Sequence, residues 1–411
     1  MKPVEVLYLS YDGMTDPLGQ SQVIPYLAGL SKEGFHFHLV SFEKKENYDR
    51  EKGLITSLLK EHTITWHPLS YTKNPPVFST ISDLSRMKKL GLELIRKHDI
   101  KIVHCRSYIS ALAGKYLKER TGVKFLFDMR GFWADERVDG GLWNLKNPLY
   151  SYIYKFFKKQ EKKFLQKADA VISLTENAKQ EINSWQLRSA SQSEISVIPC
   201  CADLHHFNPD NVSDAEKEKL KSQLNIPENA IMISYLGAIG TWYLLDEMLE
   251  FFKLFLEKYP EAIFLFITRE LEEIILQRSN ELGIPKSALR IYSANRSQVP
   301  VALSLSQASI FFIKPAFSKK ASSPTKQGEI MGMGLPLICN TGIGDTDYVV
   351  YKYGAGITIN LNEKSSLQKA VAEFDNLKKI PSDKIMKGAE DFYSLKSGVR
   401  KYLGVYREML K

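Results

Sequence analysis

Lys326 and Glu329 stand three residues apart in the run Ser322-Ser323-Pro324-Thr325-Lys326-Gln327-Gly328-Glu329. On a helix that spacing brings the two side chains to one face, about 5–6 Å apart. The run reads as a helix start, with Ser323 suited to the N-cap and Pro324 to the first helical position. Backbone N–H groups in such a first turn are unpaired and can hold a pyrophosphate. Lys326 would add a mobile positive charge and Thr325 a hydroxyl donor where a departing diphosphate gathers negative charge. A carboxylate at Glu329 can chelate two ribose hydroxyls. The competing reading is a surface ion pair between Lys326 and Glu329, worth only about 0.3–0.5 kcal/mol. The later loop Gly342-Ile343-Gly344-Asp345 offers backbone at Gly344 that can approach phosphate or sugar, and it reads equally as a plain turn.

A second charged group lies far from the first in sequence. Asp128-Met129-Arg130-Gly131-Phe132-Trp133-Ala134-Asp135-Glu136-Arg137 packs five charges and two aromatics into ten residues. Arg130 can clamp a phosphate or carboxylate with its planar fork but cannot act as a general base. Asp128 and Asp135 are the candidate bases; a departing phosphate can also accept the proton. A loop salt-bridge network is the alternative for these carboxylates. His104 and Arg106, ending the run Ile100-Lys101-Ile102-Val103-His104-Cys105, are weaker candidates, since a lone strand-end histidine is usually structural. Near the start, Gly19 precedes an amphipathic helix carrying Val23, Ile24, Leu27 and Leu30. Without a side chain it would let backbone N–H groups approach a phosphate or transferred sugar, or it is simply part of a βα turn.

The elements that position these groups follow from patterning. Short β-branched or aromatic runs alternate with longer helical patterns as far as about residue 360, the signature of βαβ units and parallel sheets, so the fold class is α/β. Strands are expected at VEVLYLS, HFHLVSF, IKIVHC, VKFLFDM, ADAVISLT and EISVIPC, then at AIMISYLGAI, AIFLFIT, ALRIYSA, ASIFFIK and LPLICN. A polar passage from Asp203 to Glu228 separates the two sets and marks the domain junction. This gives an N-terminal Rossmann-like domain over 1–203, a second over 204–385, and a C-terminal helix over 386–411 that packs back toward the first. A capped helix at the carboxyl end of a strand is where open α/β sheets place ligands, which favours the ligand reading of Lys326 and Glu329.

At 411 residues, with 44% apolar and 25% charged residues, the chain fits a soluble enzyme with large cores rather than a disordered or fibrous protein. The first apolar run meets Asp12 too early for a signal peptide, and no apolar stretch suits a membrane span. The four cysteines lack repeated metal-ligand spacing and read as reduced thiols in the cytoplasm, with the crowded Cys200-Cys201-x3-His205-His206 run a poor zinc site. The net charge of +9 favours anionic partners. Residues 150–167, YSYIYKFFKKQEKKFLQK, combine aromatics and lysines in one helical pattern. That pattern suits contact with anionic lipid at the inner membrane face, and it equally suits aromatics packed on the sheet with solvated lysines. Nucleic acid is not an expected partner, because no binding module accompanies the charge.

The sequence resembles the retaining family 4 glycosyltransferases over nearly its whole length. Glu329-Ile330-Met331-Gly332-Met333-Gly334-Leu335-Pro336 is similar to their second-domain glutamate and GlP-type turn. Asp16-Pro17-Leu18-Gly19-Gln20-Ser21-Gln22 looks like their glycine loop, and Val197-Ile198-Pro199 with Asp203 and Phe207-Asn208-Pro209 looks like their domain exit. The resemblance implies the GT-B fold, two Rossmann-like domains facing across a cleft, with a UDP- or GDP-linked sugar as co-substrate and neither metal nor cofactor. It further implies transfer with retention to a glycan or lipid-linked acceptor in cell-surface polysaccharide synthesis.

Two departures stand out. The family's paired glutamates have seven residues between them, but the first position here is Ala321, where neighbouring Ser322 partly substitutes. The family's Arg and Lys after the first strand of the second domain are replaced by Gly237-Ala238-Ile239-Gly240-Thr241-Trp242, which leaves the diphosphate to Lys326, helped by Arg269 or Arg296. Arg130-Gly131 stands where similar enzymes often have His-Gly.

The expected catalytic group is therefore Gly19, Asp128, Arg130 and Lys326. The nucleotide sugar is assigned to Gly237, Ser322, Ser323, Thr325, Lys326, Glu329 and Gly344. Gln20, Arg106, Trp133 and Asp135 are placed on the acceptor side. A nucleotide-sugar 2-epimerase and a catalytically silent nucleotide-sugar-binding subunit are the alternatives on the same fold. The triplet Asp345-Thr346-Asp347 sits too late in the chain to be the metal motif of single-domain glycosyltransferases.

Overall fold

The computed structural model describes residues 3–189, 192–363 and 365–411. The chain divides into two compact units. One comprises Met1–Cys200, Phe317–Ser322 and Leu395–Lys411; the other comprises Cys201–Ala316 and Ser323–Ser394.

The first unit holds seven strands: β1 (Val4–Ser10), β2 (Phe35–Glu43), β3 (Ile64–Ser70), β4 (Ile100–Arg106), β5 (Lys124–Asp128), β6 (Ala170–Ser173) and β7 (Ser196–Val197). They form one parallel sheet in the order β3-β2-β1-β4-β5-β6-β7. Both faces are covered by helices, so the central strands read as nearly continuous buried runs rather than as alternating ones. β3 went unseen in the sequence because it is an edge strand with little buried surface, interrupted by Pro68. The last helix, Leu395–Met409, belongs to this unit. A Cβ added at Gly29, in the helix Ile24–Ser31, would lie 2.5 Å from Val399, so a glycine is what lets the two helices approach.

The second unit holds β8 (Met232–Leu236), β9 (Ile263–Ile267), β10 (Leu289–Tyr292), β11 (Ala308–Phe311), β12 (Leu337–Asn340) and β13 (Gly356–Ile359), all parallel, in the order β10-β9-β8-β11-β12-β13. The polar passage expected to be the junction belongs to this unit, and the change of unit falls between Cys200 and Cys201. Phe207, Val212 and Leu220 explain the difference, since each is buried in the second core.

The segment Phe317–Ser322, inside the span expected to be second-domain only, groups with the first unit. Several bonds fasten it there. The Ser318 amide donates to Asp139 at 2.9 Å, Lys319 pairs with Glu136 at 2.7 Å, and the Thr175 hydroxyl donates to the Lys320 carbonyl at 2.6 Å. Phe317 stacks on Phe132.

Candidate functional site

In the second unit, six of the seven expected donor residues, Gly237, Ser323, Thr325, Lys326, Glu329 and Gly344, sit on the segments that follow β8, β11 and β12. The helix Thr325–Gly332 begins at Lys326's own turn, but its N-cap is Pro324 and not the expected Ser323. Pro324 offers no side-chain acceptor, so the first amides of the helix are uncapped by a side chain.

Lys326 is not a mobile surface cation. Its residue is 7% exposed and its Nζ lies 3.7 Å from the ring centre of Tyr243 and 4.5 Å from that of Tyr235. It donates to the Tyr235 hydroxyl at 3.3 Å, and that hydroxyl donates in turn to the Ala238 carbonyl. Gly237, at φ +120°, closes the other side: a Cβ there would come within 2.8 Å of Nζ. Aromatic faces attract an ammonium but replace its hydration only in part. Burial pushes Lys326 down to about 7, against an opposing pull from Glu329. Among the described residues no carboxylate lies within ion-pair distance of it.

Glu329 pairs instead with Arg296, at 3.6 Å, so the surface ion pair with Lys326 does not form. Burial raises the Glu329 carboxyl although Arg296 and Lys326 both pull it down. Arg296 is the useful partner that the sequence only suggested, and its carbonyl accepts from or faces His206 Nε2 at 2.9 Å. Arg269 is tied to the Ala294 carbonyl at 3.2 Å. The Gly342–Asp345 loop lies near the same helix, because Gln327 Nε2 donates to the Thr346 carbonyl at 3.1 Å; Gly344 has φ +47°. Thr325 and Ser323 are half-buried at the helix start. Ser322 falls on the first-unit side of the boundary. Ala321 is 3% exposed within the first unit's apolar core, where a glutamate would be a buried unpaired charge.

In the first unit, Asp128, Arg130 and Arg106 come together at the carboxyl ends of β4 and β5. Asp128 is fully buried; it accepts from the Tyr402 hydroxyl at 2.8 Å and lies 3.4 Å from His104 Nε2, while Arg130 Nη1 stands 3.9 Å away. Burial raises the Asp128 carboxyl, but Arg130, His104 and Arg106 together outweigh it and hold the group below the ordinary aspartate value. His104 Nδ1 meets the Tyr406 hydroxyl at 2.7 Å, and burial lowers this histidine against the pull of Asp128. Arg106 pairs with Asp12 at 3.2 Å.

Arg130 has φ +56°, and its side chain is 7% exposed. One Nη donates to Cys200 Sγ at 3.2 Å, whereas Nε and Nη1 are buried with no hydrogen-bond partner among the described residues. Tyr402 and Tyr406 were missed in the sequence. Their spacing of four places both on one helical face, but nothing in the sequence says which strand that face meets.

Other expected residues are used differently. Gly19 lies inside the short helix Pro17–Gln22, not in a loop, and a Cβ there would come within 2.2 Å of the Gly13 carbonyl. Self-packing therefore accounts for this glycine. Its turn is pinned by the buried Glu43, which accepts from the amides of Met14, at 2.8 Å, and Thr15, at 3.0 Å. Gln20 is exposed and donates to the Thr15 carbonyl at 3.3 Å. Trp133 packs among Tyr108, Trp143 and Phe157. Asp135 is held by the Tyr154 hydroxyl and Lys158, each at 2.8 Å, the salt-bridge network considered as its alternative. Asp135 lines a cavity of about 690 Å³ with Lys158, Glu161 and Trp185.

The comparisons bear on this arrangement. The family model described as Glycosyltransferase Family 4 matches residues 19–206. Among solved structures, a glycosyltransferase from Rickettsia africae is similar at 18% identity with a TM-score of 0.75, covering 100% of both chains. A sucrose-phosphate synthase from Thermosynechococcus elongatus is 14% identical, TM-score 0.73, covering 99% of each chain. HepE of Anabaena, solved in complex with UDP-glucose, is 12% identical, TM-score 0.68, covering 98% of this chain and 99% of its own. No curated protein sequence matches.

Proposed function

We propose that this chain, a glycosyltransferase with a family 4 domain in its first half and the GT-B fold throughout, moves a sugar from a nucleoside diphosphate sugar to an acceptor hydroxyl with retention of configuration. The observation that carries the donor assignment is Lys326: a cation taken out of water at the start of a helix without a side-chain cap, with no carboxylate within ion-pair distance among the described residues. A diphosphate supplies the missing charge. In this reading the first-turn amides, Thr325 and Lys326 hold the pyrophosphate, with Ser322 and Ser323 at the entry to that turn. The backbone at Gly237 and Gly344 approaches phosphate or sugar, and Glu329 takes the ribose hydroxyls. The positive charge at Lys326 stabilises the leaving group, so the transfer requires no metal. HepE's complex with UDP-glucose supports a uridine nucleotide as the first donor to try.

On the acceptor side, Arg130 is the group with hydrogen-bonding capacity to spare, and Arg106 stands beside the same carboxylate. We assign Arg130 to an anionic group of the acceptor. Asp128 orients that guanidinium, and the departing phosphate takes the acceptor's proton. The acceptor is a glycan or lipid-linked sugar of cell-surface polysaccharide synthesis, met at the inner face of the membrane. The helix Pro148–Lys167 supports this location, since Leu149, Tyr152 and Phe156 are exposed next to Lys155 and Lys159. Among the described residues no helix is long and apolar enough to cross a membrane. Sedimentation with anionic vesicles should carry down the wild type and much less of Tyr152→Ser/Phe156→Ser; equal sedimentation of both would refute the contact.

The donor assignment is tested by thermal shift against UDP, GDP and their sugars, followed by the anomeric configuration of the product in chelator. Binding raises Tm by mass action. One nucleotide should stabilise the wild type, and Lys326→Ala and Glu329→Ala should each sharply reduce the shift while remaining folded. An unchanged shift in both removes the site. Product formed without acceptor would point to the 2-epimerase reading, and donor binding without any turnover to a silent binding subunit.

A further inference from the structure

At the opposite end of β1 from Arg106, three side chains form a set that the transfer reaction does not use. His36 and His38 alternate along β2, and Glu5 on β1 is the cross-strand partner of His36. A period of two places all three on one face of the sheet. Glu5 Oε2 lies 2.8 Å from His36 Nδ1 and 3.2 Å from His38 Nε2, and the three ligand atoms fall within 4.8 Å of one another.

The remaining ring nitrogens are each held from outside. His36 Nε2 meets the Thr65 hydroxyl at 2.9 Å, and His38 Nδ1 meets His67 Nε2 at 3.2 Å. Metal-bound imidazoles are oriented in this way: one nitrogen faces the ion while a neighbour fixes the other and so sets the tautomer. A second observation is independent of that pattern. His38 has a side chain only 2% exposed, and its Nε2 has no hydrogen-bond partner among the described residues although it faces Glu5. An orphaned nitrogen in such a place is accounted for by a bond of another kind.

We propose that Glu5, His36 and His38 bind a divalent transition-metal ion of the zinc class, which clips β1 to β2. Two imidazoles and a carboxylate suit zinc in character. Bonds of about 2.0–2.2 Å to a tetrahedral ion put ligand atoms about 3.3 Å apart, so the Glu5–His38 separation already fits and the Glu5–His36 separation is half an ångström short. The fourth position is left to water, and His36, 21% exposed, gives the ion a way in. Ser10, which pairs with Arg106, is five residues along β1 from Glu5, about 16 Å at the rise of a strand. The ion therefore takes no part in sugar transfer, and its effect is on stability.

The test uses the full chain freed of metal with chelator, then titrated with Co²⁺ and with Zn²⁺. The wild type should bind one Co²⁺ with a visible d–d band, and Zn²⁺ should raise its Tm. Glu5→Gln and His36→Ala remove different ligands, so each decides if the other fails to fold. Both should lose the band and weaken zinc binding by more than the 10–100-fold typical of an outer partner. His205→Ala/His206→Ala should bind as the wild type does. Absence of the band and of the Tm rise in the wild type, or their survival in a folded Glu5→Gln or His36→Ala, overturns the proposal.

Discussion

In the second unit a lone ammonium is walled in by aromatic rings, whereas in the first two guanidinium groups share their surroundings with two carboxylates, a histidine and two tyrosines. The difference lies in who supplies the counter-charge. Around Asp128 the protein supplies it, and burial of the carboxylate is offset by Arg130, His104 and Arg106. Around Lys326 the protein does not, and the lysine gives up proton affinity instead. A network neutralised from within holds its shape. A cation left short of partners gains most from an anion that arrives, which is the behaviour wanted where a diphosphate must be stabilised as it leaves.

The sharpest way to break this contrast is Lys326→Met. It removes the ammonium but keeps an apolar stem between Tyr235 and Tyr243. Turnover should fall about 100–1,000-fold, the cost of one well-placed electrostatic partner, while Tm stays the same or rises because a buried charge has gone. A lower Tm with unchanged turnover would make Lys326 a structural residue. On the other side, Arg130→Lys keeps the charge but loses the planar fork. The KM for an anionic acceptor should rise about 10–100-fold, the worth of a charged hydrogen bond, with the donor-induced thermal shift unchanged. An equal loss of donor binding would show that Arg130 serves the nucleotide.

The smallest effect is on stability against pH. The folded chain releases the Lys326 proton near pH 7, whereas the unfolded chain keeps it to about 10.5. Over that window the unfolded state binds more protons, so this residue makes stability rise with pH from about 7 to 10.5. Urea melts of wild type and Lys326→Met should converge as pH rises through it. Curves that stay parallel would contradict the buried, depressed lysine.

The sequence showed the strands of both sheets where they are buried on both faces, because a continuous apolar run needs no partner to be recognised. It did not show β3 or β13: the first is a half-exposed edge carrying Pro68, the second four residues beginning with glycine. The start of the helix Thr325–Gly332 was legible to within one residue from Pro324, yet the fate of Lys326 was not. The chain near residue 325 contains no hint that Tyr235 and Tyr243 converge on it. Gly19 and Asp135 show the reverse, since residue types that suit a site are also engaged in close packing and in a salt bridge that the sequence did not reveal. The His36-His38 alternation was visible, but Glu5 could join it only once β1 and β2 were paired in register.

The most direct test of the uncompensated cation is calorimetry of UDP binding at pH 8 in buffers of differing ionisation enthalpy. Because Lys326 is largely neutral there and a bound diphosphate restores its charge, wild type should take up close to one proton more per nucleotide than Lys326→Arg or Lys326→Met. Wild-type binding that takes up no more protons than the variants would contradict the account.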